Sequence, residues 1–411
     1  MDHRTVFLAI LNNFIHSDQE LPSMDKMQSE DIMKLLQLST EHAVFPIIYE
    51  GIKTAGADAF TRLPEEIQQQ SRTSAVKLIM GQMQQTASFL KLYEELSQLH
   101  LPMLVVKGLI CRNLYRKPDY RASCDEDILI RREDFHQIDQ ALLDKKFVRE
   151  FCTDPMQEQE ITYTNGQSGM RLELHMSLFA EDSKAYGHLN QEFTDVFDQY
   201  IVEKIEGVSV CTLNYTDHML YLLCHGLKHF LHSGFGIRQL CDMILFAEAY
   251  GDRIDWNDII ERTKKENMYV FWMNLFDIGE KKLGFSWKKA GLDKPVSMNM
   301  DSQALLEDIL DSGIYGKKDE NRLHSANITL QAVAENRNKP SIRTSLFPDF
   351  SYMVQQYSYL QSRKWLLPWA WLQRTVSYLK RRKGTGAMEA IRVGRTRTEM
   401  LRQYGLIQDK K

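Results

Sequence analysis

Apolar and polar residues recur with helical spacing in the first hundred residues. In TASFLKLYEELSQLH (86–100), Phe89, Leu92, Leu96 and Leu99 are three or four positions apart, which predicts a helix with one apolar face. Pro102 ends this helical pattern. We therefore predict an N-terminal helical region over residues 1–100.

The pattern then changes to short apolar runs separated by helical stretches. LPMLVVKG (101–108) and CDEDILI (124–130) predict two strands, with a helical stretch reaching about Tyr115 between them. REDFHQIDQALLDKKF (132–147) predicts the next helix. The order of elements is β-α-β-α.

A β-hairpin is predicted in EITYTNGQSGMRLELHMSLF (160–179), around Asn165-Gly166. Its second strand alternates, so that Arg171, Glu173 and His175 share the polar face. From about residue 190 onward the pattern is helical, with helix ends near EGVSV (206–210), near Gly251 and in the polar stretch 312–325.

The predicted fold class is α+β and mostly helical, with a small mixed β-sheet core between N- and C-terminal helical regions. We expect four regions: the helices of 1–100, an α/β core over 101–210, a helical domain over 211–340 that packs over the cleft, and a basic aromatic tail over 341–411.

Composition indicates an ordinary globular protein of 411 residues with a net charge of -4. Six cysteines form no Cys-x-x-Cys pair, the N-terminus does not resemble a leader peptide, and no run of about 18 apolar residues occurs. We therefore expect reduced thiols, a cytoplasmic location and no transmembrane segment.

The charge is uneven along the chain. Residues 360–411 carry 13 Lys and Arg against 3 Asp and Glu, which leaves 38 against 52 in the preceding residues. Trp365, Trp369 and Trp371 lie within this basic tail. The tail could contact an anionic membrane or RNA, but we favour the alternative in which the tryptophans dock it on the body.

The candidate chemistry centres on Asp125 and Asp127. Residues i and i+2 of a strand point to the same face, about 7 Å apart, where a hard cation such as Mg²⁺ can bind between two carboxylates. Glu173 is the candidate third carboxylate, and Gly108 opens a helix where phosphates can approach the backbone. The alternative is a solvated acidic strand end beside Arg131 and Arg132.

Several side chains could complete a nucleotide site. Lys107 could contact a triphosphate, or leave its ammonium group in water; Arg121 could pair with the acids and phosphates; His175 could orient Glu173 or touch an acceptor. Glu126 shares its face with apolar residues, so it must be exposed to solvent, paired with a base, or protonated.

The C-terminal helices contribute further candidates. Lys228, His229, Arg238 and Asp242 are expected at the nucleotide cleft, although an intrahelical Arg238–Asp242 pair is an equal alternative. His225 and His229 are four residues apart, but the Glu of a zinc-protease motif is missing, so zinc is not favoured.

Five stretches carry a resemblance to a known family: EHAVFPIIYEGI (41–52), the block at 101–135, LELHMSLF (172–179), HGLKHFLHSGFGIRQLCDMILF (225–246) and the stretch at 345–374. In their order they resemble the uncharacterised bacterial nucleotidyltransferases of the polymerase β-like nucleotidyltransferase superfamily. Two residues depart from the family pattern, which has Gly at Cys124 and an apolar residue at Glu126.

The resemblance implies roles for matching residues. Asp125 and Asp127 occupy the places of the metal ligands, and Glu173 that of the third acid. Gly108, preceded by Lys107, matches the turn that binds phosphates. Arg121 and Ser123 match an Arg-x-Ser motif before the acidic pair.

The function that the resemblance implies is transfer of a nucleoside monophosphate from an NTP, with ATP expected, to a hydroxyl acceptor of unknown identity, with Mg²⁺ or Mn²⁺ as cofactor. A non-catalytic nucleotide-binding sensor or scaffold and an RNA-directed transferase are the alternatives. The proposal requires Glu173 within about 10 Å of the aspartates and no lysine seated on them.

Overall fold

The computed structural model describes the N-terminal two thirds of the chain almost continuously and the remainder in short segments. The residues described are 2–16, 20–150, 154–232, 234–295, 302–313, 329–330, 332–333, 350, 353–354, 357, 359–380 and 396–407. The statements below concern these residues.

Five helices form the N-terminal part of the fold. They are α1 (His3–Ile15), α2 (Ser29–Glu41), α3 (Phe45–Ala55), α4 (Ala57–Thr61) and α5 (Glu65–Ser97). In α5, Phe89, Leu92 and Leu96 are buried as predicted, since their spacing places them on one face. The helix ends at Ser97, five residues before Pro102.

A five-stranded mixed sheet follows in the order β1-β2-β5-β4-β3. Its strands are β1 (Met103–Val106), β2 (Glu126–Ile130), β3 (Val148–Arg149), β4 (Glu160–Thr164) and β5 (Arg171–His175). Only β2 and β5 are parallel to each other; the other neighbours are antiparallel. The intervening helices are α6 (Gly108–Arg112) and α7 (Phe135–Asp144), which confirms the β-α-β-α order.

The register of the sheet brings acidic residues of different segments together. Asp127 on β2 is the direct partner of Glu173 on β5, and Glu160 on β4 is the partner of His175. Partner residues on adjacent strands present their side chains to the same face. Asp125 precedes β2, which begins at Glu126.

The helical prediction from residue 190 is wrong over residues 201–212. There the chain forms an antiparallel hairpin of β6 (Ile201–Ile205) and β7 (Val208–Thr212). Both turn residues, Glu206 and Gly207, have positive φ angles, +48° and +91°, as two-residue hairpin turns require. The Glu-Gly pair is therefore a hairpin turn and not a helix end.

Helices resume after the hairpin. They are α8 (Tyr215–His232), α9 (Ile237–Tyr250), α10 (Trp256–Lys265), α11 (Tyr269–Leu283) and α12 (Gln303–Ser312). The end of α9 at Tyr250 agrees with the helix end predicted near Gly251. Most of the polar stretch 312–325 lies outside the described residues.

The tail contributes α13 (Tyr359–Ser362), α14 (Leu367–Lys380) and a helical segment at 396–403. Trp365 and Trp369 are 76% and 59% exposed, so the prediction that they dock the tail is wrong for these two residues. Trp371 packs on a small separate cluster that includes Leu360. The basic stretch 381–395 lies outside the described residues.

The predicted fold class is confirmed: the protein is mostly helical α+β with a small mixed sheet. The boundaries of the four regions stay a prediction. Within the part of the chain that the structure describes, none of the helices combines the length and apolar character needed to cross a bilayer.

Candidate active site

A cavity of about 500 Å³ is lined by residues of the inner strands β2, β5 and β4 and of helices α8 and α9. Each of the twelve side chains or backbone positions predicted for the site lines it: Lys107, Gly108, Arg121, Ser123, Asp125, Asp127, Glu173, His175, Lys228, His229, Arg238 and Asp242. The fold thus brings together residues from five separate stretches of sequence. Their functional roles stay predictions.

The acidic wall of the cavity consists of Asp127, Glu173 and His175. Each offers one ligand atom, and these atoms all lie within 4.8 Å of one another. The requirement that Glu173 lie near the aspartates is therefore met for Asp127. The predicted metal ligands are Asp125, Asp127 and Glu173, whereas the observed donor set contains His175 and not Asp125. Asp125 lines the same cavity.

The chemistry of this donor set fits a divalent cation. Carboxylate oxygens suit Mg²⁺ and Mn²⁺, and an imidazole nitrogen adds a ligand that transition metals accept. Burial raises the pKa of Glu173 to about 8, and the negative charges of Glu160, Asp125 and Asp127 add to this effect. A bound cation would relieve that repulsion.

His175 lies among the carboxylates of the acidic wall. Its Nε2 lies 2.9 Å from Asp127 Oδ1 and 3.9 Å from Glu173 Oε2, and its Nδ1 lies 3.5 Å from Glu160 Oε2. The imidazole is 5% exposed and contacts three carboxylates. The 2.9 Å contact is with Asp127, whereas Glu173, the acid that His175 was predicted to orient, lies 3.9 Å away. The orienting and acceptor-binding roles of His175 stay predictions.

Lys107 contacts Asp127, which neither of its two predicted positions includes. Its Nζ lies 2.9 Å from Asp127 Oδ1, so the expectation that no lysine is seated on the aspartates is wrong. Burial acts to lower the pKa of Lys107, but the charge of Asp127 outweighs it and raises the pKa above its usual value. Burial acts to raise the pKa of Asp127, but the contacts with Lys107 and His175 outweigh it and lower this pKa. A cation binding at Asp127 must compete with this ammonium group.

Gly108 stands at a point of close approach between backbone and site. A Cβ at this position would lie 3.0 Å from Glu126 Oε2 and 3.8 Å from Ser123 Oγ. The helix α6 that it opens has five residues. The lack of a side chain therefore lets this turn pack closely against Glu126, and Gly108 also lines the cavity.

Glu126, the departure from the family pattern, is fully buried beneath the site. Glu126 was expected to be exposed to solvent, paired with a base, or protonated, and the structure shows the pairing. Arg112 donates from Nη2 to Glu126 Oε1 at 2.5 Å. Gln85 donates to the same oxygen at 3.2 Å, and Arg112 also donates to Thr86. Burial raises the pKa of Glu126, opposed by Arg112.

Arg121 pairs with Asp242 and not with the acidic wall. Its Nε and Nη2 donate to the two carboxylate oxygens of Asp242 at 3.1 and 2.6 Å, and Tyr115 donates to the same carboxylate. Both members of this ion pair are buried. The predicted contact of Arg121 with the metal-binding acids is therefore absent among the described contacts. Arg238 donates to the backbone oxygen of Ala122.

The wall opposite the acids is basic and lies on α8. His225 Nε2 is 3.2 Å from both Lys107 Nζ and His229 Nε2. Burial lowers the pKa of His229 to about 3, and burial with the charge of Lys107 lowers the pKa of Lys228. The imidazoles are therefore neutral near pH 7 and can donate or accept hydrogen bonds.

Glu160, Gln82 and His218 are among the residues at or beside the cavity that sequence reasoning missed. Glu160 lines it, Gln82 accepts from the Ser123 amide at 2.7 Å, and His218 accepts from the Lys107 amide at 3.1 Å. The alternation of β4 was a signal for Glu160, because the hairpin register follows from it. Gln82 and His218 lie in helices remote in sequence, and no local pattern marks them.

The geometry agrees with what the sequence comparisons find. The family model described as uncharacterised nucleotidyltransferase matches residues 28–276, which include the whole cavity lining. The chain therefore belongs to this family of nucleotidyltransferases. No curated protein matches the chain significantly.

Proposed function

We propose that the protein transfers a nucleoside monophosphate from an NTP to an acceptor hydroxyl with metal dependence. The observation that supports this best is the donor set of Asp127, Glu173 and His175 facing a basic wall across one cavity. A nucleoside triphosphate needs both kinds of group: carboxylates bind the cations that accompany it, and ammonium groups and other hydrogen-bond donors contact its phosphate oxygens.

In the proposed reaction the acceptor oxygen attacks the α-phosphorus. The bond from this phosphorus to the bridging oxygen breaks, and pyrophosphate leaves. Glu173 accepts the hydroxyl proton, because its carboxylate lies beside Asp127 in the cavity where the acceptor would bind. A divalent cation would be held by Asp127 and Glu173 with Asp125 beside them, and it would supply positive charge for the phosphates.

Lys107 has two positions in this proposal. Its ammonium group leaves Asp127 and contacts the phosphates when the nucleotide binds. The side chain is 21% exposed, and its contact with Asp127 is made through one carboxylate oxygen. Lys228 and His229 on the facing helix complete the phosphate contacts, and Gly108 admits the phosphates to the backbone.

The finer parts of the assignment belong to the same proposal. They are membership of the polymerase β-like superfamily, a bacterial source, ATP as the nucleotide, Mg²⁺ as the ion and a cytoplasmic location. The block at 101–135 and the oxygen-rich donor set support the superfamily and the ion. The hydroxyl acceptor is part of the same proposal. The roles of Ser123, Arg238 and Asp242 in binding the nucleotide are proposed because these residues line the cavity.

A second function, nucleotide binding without catalysis, is favoured by the Lys107–Asp127 contact. A lysine that stays on Asp127 neutralises this carboxylate and displaces the ion. Such a protein would bind nucleotide through the basic wall and release no pyrophosphate.

Transfer of label from α-³²P-labelled NTPs to a cell extract, with Mg²⁺, tests the proposal. Asp127→Asn should abolish transfer and leave the fold intact. Asp139→Asn is the matched control, because Asp139 also pairs with a base, Arg149, and accepts a hydrogen bond, from Tyr163, but lies outside the cavity. Retained transfer in Asp127→Asn, or nucleotide binding without pyrophosphate release in the wild type, contradicts it.

A further inference from the structure

The backbone at Lys107 is strained at the point where it enters the site. Lys107 has a φ of +48° and a ψ of -95°. This conformation is uncommon for a residue with a side chain and persists only where surrounding contacts hold it. Of the six described non-glycine residues with positive φ, Lys107 is the one that lines the cavity.

The contact that holds this turn comes from His218. The backbone N–H of Lys107 donates to His218 Nε2 at 3.1 Å. His218 lies on α8, is 1% exposed, and is 111 residues away in sequence. Removal of this acceptor would leave the Lys107 N–H, in its strained conformation, without this partner.

The tautomer of His218 follows from its second contact. Thr212 Oγ1 lies 2.6 Å from the backbone oxygen of Val105, which can only accept, so the hydroxyl hydrogen is donated there. The same Oγ1 lies 3.2 Å from His218 Nδ1 and can only accept from it. Nδ1 therefore carries the hydrogen, and Nε2 is a free acceptor for Lys107.

Burial reinforces this assignment. It lowers the pKa of His218 to about 3, so the imidazole is neutral across the working pH range. A protonated imidazole would have no acceptor for the Lys107 amide. The chain of contacts from Val105 through Thr212 and His218 returns to Lys107, two residues after Val105.

We propose that His218 is a positioning residue of the transferase: it fixes the Lys107-Gly108 turn, so that the ammonium group of Lys107 and the bare backbone of Gly108 face the cavity. The effect on the rate rests on the proposed function. The hydrogen-bond geometry does not, and it has its own measurement.

The experiment compares three variants. His218→Gln keeps a side-chain acceptor at the distance of Nε2, whereas His218→Leu removes it. Tyr93→Phe is the control, because the Tyr93 hydroxyl joins Met103, the first residue of β1, to Cys211 of β7, so it ties the same two strands through contacts that include neither His218 nor Lys107. Its removal loosens that junction without touching the turn.

We expect His218→Leu to lower kcat/KM for NTP about 10- to 100-fold, the loss typical for a residue that orients a functional group. His218→Gln should recover most of this loss, and Tyr93→Phe should change kcat/KM less than about threefold at a similar fall in Tm. Equal activities of His218→Leu and Tyr93→Phe would overturn the proposal.

Histidine side-chain ¹⁵N NMR separates this inference from the proposed function. Nε2 of His218 should carry no hydrogen in the wild type, and Thr212→Val should change the tautomer. A hydrogen on Nε2 in the wild type overturns the positioning role whatever the enzyme does. Absence of NTP turnover in the wild type with a bare Nε2 overturns the proposed function and leaves the geometry of the turn in place.

Discussion

Asp127 and Glu173 are direct partners across the parallel pair of strands β2 and β5, although 46 residues separate them in sequence. With His175 they place three ligand atoms within 4.8 Å of one another. The register of the strands fixes this arrangement, so the ligand atoms are held by regular backbone hydrogen bonding of the sheet and not by a loop. A substitution at either residue should therefore change the chemistry more than the fold.

Lys107→Met separates a phosphate-binding lysine from one that blocks the site. If Lys107 contacts the phosphates, the variant loses label transfer about 10- to 100-fold. Its affinity for Mn²⁺ without nucleotide should increase, because the ammonium group no longer competes at Asp127. Isothermal titration with Mn²⁺ and the transfer assay measure the two effects.

Lys281→Met is the control for that change. Lys281 also pairs with a buried aspartate, Asp277, at 2.6 Å, but lies outside the cavity. It should alter neither quantity. Unchanged or faster transfer in Lys107→Met would mean that the lysine only occupies the aspartate.

The raised pKa of Glu173 predicts how stability depends on pH without metal. The usual value is 4.5 and the folded-state value is about 8, so between these the folded protein binds a proton that the unfolded chain releases. Stability of the metal-free protein should therefore fall as pH rises through this interval. Glu173→Gln stays neutral and should lose this component of the pH dependence.

Thermal unfolding in EDTA at pH 5 and pH 8 measures the contribution of Glu173 to the pH dependence of stability. Glu173→Gln should raise Tm relative to the wild type at pH 8, by about 2–4 °C for each kcal/mol of relief in a domain of 150–250 residues, and should do so less at pH 5. An equal change in Tm at both pH values would contradict a pKa of Glu173 that lies between them.

The buried Arg112–Glu126 pair should be costly to break on one side. Arg112→Met leaves the Glu126 carboxylate buried without its base and should destabilise the fold by about 3–5 kcal/mol. Arg112→Met with Glu126→Leu should recover most of this loss, since no uncompensated charge remains. Urea unfolding of the two variants tests the pairing; similar stabilities would contradict it.

Gly108→Ala tests the close approach at the turn. The added methyl group would lie 3.0 Å from Glu126 Oε2, close enough to displace its neighbour or the turn. We expect KM for NTP to rise about tenfold or more together with a fall in Tm, because the methyl group displaces the turn at the cavity or presses on the buried Glu126. Gly166→Ala, with open space around its Cβ, is the control.

The sequence predicted the elements that local periodicity determines. The helix containing Phe89, the order of the first strands and the polar face of β5 with Glu173 are all present, because each depends on neighbours within a few residues. The alternating hairpin at 201–212 was missed because its short runs resemble helix ends.

Contacts between remote segments were not predictable in the same way. The pairing of Arg121 with Asp242 and the hydrogen bond from Lys107 to His218 join α8 or α9 to the core, over more than 100 residues. Lys107 was expected at the phosphates, yet its partner is Asp127. Several carboxylates could pair with the ammonium group of Lys107 by charge alone. The three-dimensional packing determines which of them it contacts.

Anomalous diffraction from crystals grown with Mn²⁺ and a non-hydrolysable NTP analogue tests the central claim most directly. The account predicts a manganese peak about 2–2.5 Å from carboxylate oxygens of both Asp127 and Glu173, with Lys107 moved from Asp127 to the phosphates. A bound nucleotide with no metal at these carboxylates, and Lys107 still on Asp127, would contradict it.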